Sequence, residues 1–237
     1  MKILLTGGRG QVGRELRRTL APLGQVIAPP RAEFDLARPD TLADAVRRIA
    51  PDCIVNPAAY TAVDLAEAEP ELAYRVNADA AAELAAVTRE LGIPLLHFST
   101  DYVFDGIKAG AYVETDATAP QSVYGASKRA GEEAVAAHAG AHLILRTAWD
   151  YGLHGKNFLL TMQRLARERD TLRVVADQFG APTWSRMVAE GATLTLARWL
   201  TRHDPESDSG IYHLACAGRA SWHDFATAIL AEHERHT

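Results

Sequence analysis

The chain has 237 residues, of which 48% are hydrophobic, and a formal net charge of −5, which is enough apolar material for one large core with a smaller lobe. The acidic balance and the lack of a long basic run argue against a nucleic-acid-binding protein. With two cysteines, no signal-peptide core and no membrane-length apolar run, we expect a soluble cytoplasmic protein that binds neither nucleic acid nor membrane.

The N-terminal segment has the pattern of a nucleotide-binding turn. An apolar run at 3–5 leads into glycines at 7, 8, 10 and 13, and an apolar stripe with helical spacing follows. Glycine lets the chain turn sharply and lets a pyrophosphate approach the free N–H groups at a helix start. The pattern predicts a strand, a dinucleotide-binding loop and a helix, although ordinary strand-to-helix turns also have such spacing.

A second strand is predicted at 25–28. In NAD-specific folds this strand often ends in an acid that binds the ribose 2′-hydroxyl, but here Arg31 follows two prolines. Its guanidinium could bind a 2′-phosphate, which favours NADPH or the use of both cofactors. Alternatively, Arg31 is a surface arginine after a proline turn.

The rest of the chain alternates predicted strands with predicted helices. The strands are at 52–56, 95–99, 142–147, 172–176 and 211–214, and the helices are at 39–49, 70–91, 124–138, 157–169, 186–201 and from 222 onward. This order predicts an α/β fold, a doubly wound parallel sheet of the Rossmann type. Residues 1–150 are expected to form the dinucleotide-binding domain and residues 151–237 mainly a smaller, discontinuous substrate-binding lobe.

Three polar residues suggest carbonyl reduction. Tyr124 and Lys128 are four residues apart on a predicted helix, and a nearby ammonium lowers the pKa of a phenol toward the range of a general acid. Thr100, after the fourth strand, could bind the same substrate oxygen. Together they predict proton donation to a carbonyl that receives a nicotinamide hydride, whereas Tyr-x-x-x-Lys alone would fit a helix-surface pair equally well.

Eight segments resemble the extended short-chain dehydrogenase/reductases, most closely the branch that reduces dTDP-linked 4-keto-6-deoxysugars. They are GGRGQVGREL at 7–16, NPAAYTAVDLAEAEP at 56–70, STDYVFDG at 99–106, VYGASKRAGE at 123–132, RTAWDYG at 146–152, NFLLTMQRLA at 157–166, DQFGAPT at 177–183 and GIYHLACAGRASW at 210–222. They cover nearly the whole chain in the family's order, and STDYVF and DQFGAPT are far more specific than the glycine loop.

The resemblance implies NAD(P)H-dependent reduction of dTDP-4-dehydro-β-L-rhamnose to dTDP-L-rhamnose, the last step of dTDP-rhamnose synthesis. Tyr124 would be the proton donor, Lys128 its pKa partner and a ribose ligand, and Thr100 the third polar group. The cofactor-binding positions would be Gly7, Gly10, Gln11, Val12, Gly13, Asp35, Leu36, Ala59, Tyr60 and Thr61. The substrate-binding positions would be Thr100, Asp101, Trp149, Asn157, Gln178 and Thr183.

Several of these positions also have structural interpretations. Trp149 could close the sheet edge, and Asp101 could cap the turn after its strand. Glu15 matches a glutamate that some relatives use in Mg²⁺-linked dimer contacts, so Mg²⁺ and a homodimer are implied. The alternative for Glu15 is a solvated helix residue, and the nine scattered histidines do not suggest a metal site.

Two features depart from the family pattern. Asp150 stands where the family usually has an apolar residue, and a carboxylate beside an anionic substrate would weaken binding unless it faced solvent. The family also usually continues beyond the length of this chain, so completeness of the sugar-nucleotide lobe is left open. Two other functions remain open as well, a non-catalytic NADP-binding subunit like the methionine adenosyltransferase β subunit and an epimerase that retains its cofactor.

Overall fold

The computed structural model describes the backbone of residues 1–236 and the side chains of residues 1–232. The strands are Lys2–Leu5 (β1), Gln25–Ile27 (β2), Cys53–Asn56 (β3), Leu95–Thr100 (β4), His142–Thr147 (β5), Asp150–Tyr151 (β6), Phe179–Gly180 (β7), Thr183–Trp184 (β8), Gly210–His213 (β9) and Ala220–Ser221 (β10). Six of them form one parallel sheet in the order β2-β1-β3-β4-β5-β9. The predicted parallel sheet is therefore confirmed.

Helices cover both faces of this sheet. The α-helices are Gln11–Thr19 (α1), Leu42–Ile49 (α2), Val63–Ala66 (α3), Pro70–Tyr74 (α4), Ala80–Leu91 (α5), Val123–His138 (α6), Phe158–Glu168 (α7), Ser185–Trp199 (α8) and Trp222–His236 (α9), and the 3₁₀ helices are Ala21–Leu23, Pro39–Thr41, Asp101–Val103 and Pro205–Asp208. α2, α5 and α6 pack on one face, and α1 and α8 pack on the other. Outside the sheet, α7 pairs with α9 around Met162 and Ile229.

Alternate side chains along each strand pack into one of two core layers. In β1, Leu4 belongs to the layer under α2 and α5, whereas Ile3 and Leu5 belong to the layer under α1 and α8. Successive side chains of a strand point to opposite faces, so a strand covered on both sides is apolar throughout. The strand order reverses between β1 and β3, and ligands of such sheets bind at the carboxyl edge near this point.

The strand predicted at 172–176 is wrong. These residues form an irregular connection in which Leu172 and Val174 pack against the apolar cluster between α7 and α9. The Val175 carbonyl accepts a hydrogen bond from the His223 N–H at 3.0 Å, at the start of α9. The alternating apolar residues therefore reflect packing under helices and not membership of a sheet.

The helix predicted at 70–91 contains a wider turn. A π-helical segment, Arg75–Asp79, joins α4 to α5, and it includes the buried Asn77. The Asn77 side chain accepts from the Tyr60 N–H at 2.8 Å and donates to the Ser127 hydroxyl at 2.9 Å. The amide thereby fixes the loop after β3 against α6, and both elements border the candidate site.

Two sequence-based exclusions can be compared with the structure. Cys53 is buried, Cys216 is partly buried, and both are free thiols. Within residues 1–236, no helix combines the length and apolarity needed to cross a bilayer.

Candidate active site

The loop after β1 is shaped to receive an anion. Gly7 has a φ of +57°, a conformation that glycine adopts without strain, and its carbonyl accepts from the Gly10 N–H at 2.8 Å. Gly10 precedes α1, and no side chain in the described part of the chain caps that helix start. The first amides of α1 therefore remain available for a pyrophosphate, and the loop fits a dinucleotide.

Gly13→Ala is expected to weaken NADPH binding by at least about tenfold. An added Cβ at Gly13 would overlap the Gly7 carbonyl, so the loop would have to move away from α1. Fluorescence titration with NADPH measures the effect. Gly140→Ala is the control, because a Cβ there meets nothing within 4 Å; equal affinities for the two variants would contradict the loop assignment.

Three connected cavities in the described residues follow the carboxyl edge of the sheet. The loop cavity, of 280 Å³, lies beside the glycine loop, and the central cavity, of 460 Å³, extends from α1 to Tyr124. The outer cavity, of 820 Å³, extends from Trp149 to Arg219. Ala58 and Ala59 line both the loop and central cavities, and Asp101 and Trp149 line both the central and outer cavities, so the three form one groove.

The predicted cofactor residues line the first two cavities. The loop cavity includes Gly7, Gly10, Arg31, Asp35, Leu36, Ala59 and Tyr60. The central cavity includes Gln11, Val12, Gly13 and Thr61, together with Gly7, Gly10 and Ala59. Arg31 donates from Nε to Asp35 Oδ1 at 3.1 Å, and the Arg31 side chain is 76% exposed.

Tyr124 and Lys128 come from the first turns of α6. The Ser122 hydroxyl caps this helix by accepting from the Gly125 N–H at 3.1 Å. Tyr124 and Lys128 are both buried, and Lys128 Nζ donates to the Phe98 carbonyl at 2.6 Å. The helix thus directs both side chains inward, toward the carboxyl end of β4.

The structure does not show the expected lowering of the Tyr124 pKa by Lys128. Burial raises the pKa of the Tyr124 phenol, and the Thr100 hydroxyl opposes this shift. Burial lowers the pKa of Lys128 to about 8. The prediction that Lys128 lowers the pKa of Tyr124 is therefore wrong for this arrangement, because burial of the phenol has the largest effect and raises its pKa. A phenol with a raised pKa keeps its proton at neutral pH.

A buried polar chain connects Lys128 with the glycine loop. Lys128 Nζ lies 3.5 Å from His97 Nε2, and the Asn56 amide nitrogen lies 3.0 Å from His97 Nδ1. Asn56 Oδ1 accepts from the Thr6 hydroxyl at 2.5 Å. Burial and the charge of Lys128 hold the pKa of His97 well below its usual value, so the ring is neutral. Sequence reasoning missed Asn56 and His97, although polar residues inside apolar strands were a signal.

Two carboxyl groups lie beside Tyr124. Asp101 Oδ1 accepts from the Thr100 hydroxyl at 3.1 Å, and burial raises the pKa of Asp101 to about 6. Asp150 Oδ2 accepts from the Thr147 hydroxyl at 2.9 Å, and burial, with a smaller contribution from Asp101, raises its pKa to about 7. Asp150 is therefore partly buried and lines the central cavity.

Trp149 and Trp222 form a wall shared by the central and outer cavities. Their rings are stacked, with 3.5 Å between centroids and 4° between planes. Trp149 has a φ of +50°, which is uncommon outside glycine, and its indole occupies the space where Gly180 would carry a Cβ. Trp222 was missed as a site residue, although it closes a matched segment of the sequence.

The other predicted substrate residues differ in position. Gln178 lines the outer cavity. Asn157 caps α7 by accepting from the Leu160 N–H at 3.1 Å and donates to Gln11 Oε1 at 2.7 Å. The buried Thr183 hydroxyl donates to the Ala181 carbonyl and accepts from the Cys216 N–H. Asn157 and Thr183 thus support loops and lie outside the lining of the three cavities.

Basic side chains distinguish the outer cavity. Lys108, Arg146 and Arg219 line it, and the Arg219 guanidinium lies 3.8 Å from the Phe179 ring centroid. Arg219 was not predicted as a site residue, although it lies within the family-like segment at 210–222. Lys108 is paired with Asp116 and Arg146 with Glu132, so the Arg219 guanidinium is the group best suited to a phosphorylated ligand.

Glu15 does not form part of a metal site. Its carboxylate lies 3.5 Å from both Arg18 and Arg186. Among residues 1–232, no three or more His, Cys, Asp or Glu side chains are grouped as metal ligands. The structure therefore gives no support to the implied Mg²⁺.

Comparison with known proteins identifies close relatives. The model for the RmlD substrate binding domain matches residues 1–237. The chain is 53% identical over 232 residues to the dTDP-4-dehydrorhamnose reductase of Burkholderia thailandensis, covering 98% of this chain and 78% of that protein. It is 46% identical over 236 residues to the corresponding Escherichia coli K12 protein, with coverages of 98% and 78%.

Solved structures agree with the sequence comparison. A dTDP-4-dehydrorhamnose reductase from Clostridium acetobutylicum has a TM-score of 0.92 at 36% identity, covering 99% of this chain and 81% of that one. A dTDP-4-dehydrorhamnose reductase from Bacillus anthracis, solved in complex with NADP, has a TM-score of 0.88 at 36% identity, with coverages of 98% and 81%.

Proposed function

Because the chain belongs to the RmlD substrate binding domain family, we propose that it reduces dTDP-4-dehydro-β-L-rhamnose to dTDP-L-rhamnose with NAD(P)H. The observation that carries this proposal is the position of Tyr124 and Thr100. Both line the central cavity, which joins the glycine loop to the basic outer cavity. Along this groove, the two ligands would therefore meet beside a protonated phenol.

In this proposal, Tyr124 donates its proton to the 4-keto oxygen. The raised pKa keeps the donor protonated before reaction, and the Thr100 hydroxyl hydrogen-bonds the same oxygen. The bound dinucleotide supplies the hydride. Lys128 lies one helical turn after Tyr124 and is anchored on the Phe98 carbonyl of β4.

The groove also orients the two ligands. The amides at the start of α1 hold the dinucleotide pyrophosphate, and the side chains of Lys108 and Arg219 attract the diphosphate of the nucleotide sugar. Arg31 lines the loop cavity, and Asp35 is its ion-pair partner among the described residues. An exposed ion pair of this kind is weak, so Arg31 is available to a 2′-phosphate, which favours NADPH over NADH.

Cofactor oxidation at 340 nm tests the proposed function. The purified chain is mixed with NADPH or NADH and with the 4-keto substrate, generated in situ from dTDP-glucose by a dehydratase and an epimerase. Oxidation that requires the sugar is expected, with NADPH preferred. NADPH binding without oxidation would contradict the proposal and would favour the alternative of a non-catalytic NADP-binding subunit. The reductase relatives do not favour that alternative. Nicotinamide that copurifies tightly would indicate an epimerase.

A further inference from the structure

Asp150 has one carboxylate oxygen that the protein itself does not satisfy. Oδ2 accepts from the Thr147 hydroxyl at 2.9 Å, whereas Oδ1 is buried and has no partner from the described residues within hydrogen-bond distance. Asp150 lines the central cavity with Thr100 and Tyr124. Buried polar atoms are nearly always paired, so an unpaired oxygen beside the reacting groups indicates a ligand contact.

The protonation state of Asp150 depends on the titratable groups around it. The titratable groups that line the central cavity with it are Asp101 and Tyr102 from the 3₁₀ helix after β4, Tyr124 from α6 and Lys156 from the connection before α7. Arg146, one residue before Thr147, is held by Glu132 at 2.7 Å and is not free to pair with Asp150.

Of the two neighbouring carboxyl groups, Asp150 is the one that keeps its proton. The Thr100 hydroxyl and backbone donors stabilise ionised Asp101, whereas only the Thr147 hydroxyl stabilises ionised Asp150. Two close carboxylates resist joint ionisation. Since Oδ2 already accepts a hydrogen bond, the proton of the neutral acid belongs on Oδ1, the oxygen without a partner.

We propose that Asp150 binds the substrate as a neutral carboxylic acid and donates a hydrogen bond from Oδ1 to an oxygen of the sugar ring or its hydroxyl groups. This inference rests on the proposed function. The cationic Lys108 and Arg219 lie in the outer cavity, whereas Asp150 lines only the central cavity. The diphosphate and the sugar are thereby separated, and a neutral acid does not repel the anionic substrate.

The dependence of KM on pH tests this assignment. Below pH about 7 wild-type Asp150 holds its proton and donates, and above that pH it is ionised and cannot donate. We therefore expect the wild-type KM for the 4-keto sugar to rise about tenfold between pH 6 and pH 8.5. Asp150→Asn keeps a donor at every pH and should lose most of this rise in KM. Asp150→Leu should show a KM about tenfold above wild type at pH 6.

Product binding gives the same comparison without turnover. Calorimetric titrations compare dTDP-L-rhamnose with dTDP, which lacks the sugar. At pH 6, wild type should bind dTDP-L-rhamnose more tightly than dTDP. Asp150→Leu should bind dTDP with wild-type affinity but should bind dTDP-L-rhamnose about tenfold more weakly than wild type does. If the wild-type chain binds the product but does not oxidise NADPH, the proposed function fails, and the role of Asp150 in sugar binding is still decided here.

Controls separate sugar binding from folding. NADPH affinity should be equal in wild type and both variants, and Asp44→Asn, an exposed aspartate of α2 paired with Arg47, should follow the wild-type pH profile. The inference would be overturned if Asp150→Asn kept the pH-dependent KM of wild type. It would also be overturned if Asp150→Leu changed only the melting temperature and left KM and product affinity unaltered.

Discussion

Tyr124→Phe is expected to lower kcat by at least about a hundredfold while changing NADPH affinity by less than about twofold. The substitution removes one oxygen from a buried ring, so the packing of α6 on β4 is retained. Without the phenol, the position beside the Thr100 hydroxyl lacks its proton donor. Steady-state NADPH oxidation and fluorescence titration measure the two quantities.

The control for this variant is Tyr74→Phe, which removes a hydroxyl from a half-exposed ring on α4. It should keep wild-type turnover. If Tyr124→Phe retained more than about a tenth of the wild-type kcat, another group would have to protonate the substrate, since a positioned general acid contributes about 10²- to 10⁴-fold.

Glu132→Ala is expected to lower the free energy of unfolding by about 3–5 kcal/mol. Glu132 accepts two hydrogen bonds from Arg146, at 2.8 and 2.7 Å, and both side chains are 4% exposed. Removing the carboxylate leaves a guanidinium in an apolar setting over the Phe104 ring, with only a 3.5 Å contact to the Glu114 carbonyl in addition. Urea denaturation followed by circular dichroism measures the loss.

The adjacent Glu133 provides a matched control. Its side chain is 62% exposed and pairs with Arg129 at 2.8 Å, so Glu133→Ala should change stability by no more than about 0.5 kcal/mol. Replacing both Glu132 and Arg146 with Met should recover much of the loss, because no buried charge then remains unpaired. A loss below about 1 kcal/mol in Glu132→Ala would show that Arg146 finds another partner.

The sheet could be predicted because its signals are local. The central strands are short apolar runs, and each is followed by a helix with its own apolar stripe, so the α/β order is present in the sequence. The glycines at 7, 10 and 13 also have a local reason, since each permits a turn or a close approach within one strand-helix unit. The segment at 172–176 has a similar apolar pattern, but its apolar side chains pack in the cluster between α7 and α9.

The sequence by itself determined the parallel sheet, the glycine loop and the alignment of Tyr124 and Lys128 on one helix face, because these depend on spacing within single elements. Only the tertiary structure decided that β4 holds Lys128 and that Trp149 stacks on Trp222. It also decided that one carboxylate oxygen of Asp150 is buried without a partner among the described residues. These features arise where distant segments meet, and burial there sets pKa values and hydrogen-bond partners that no local pattern contains.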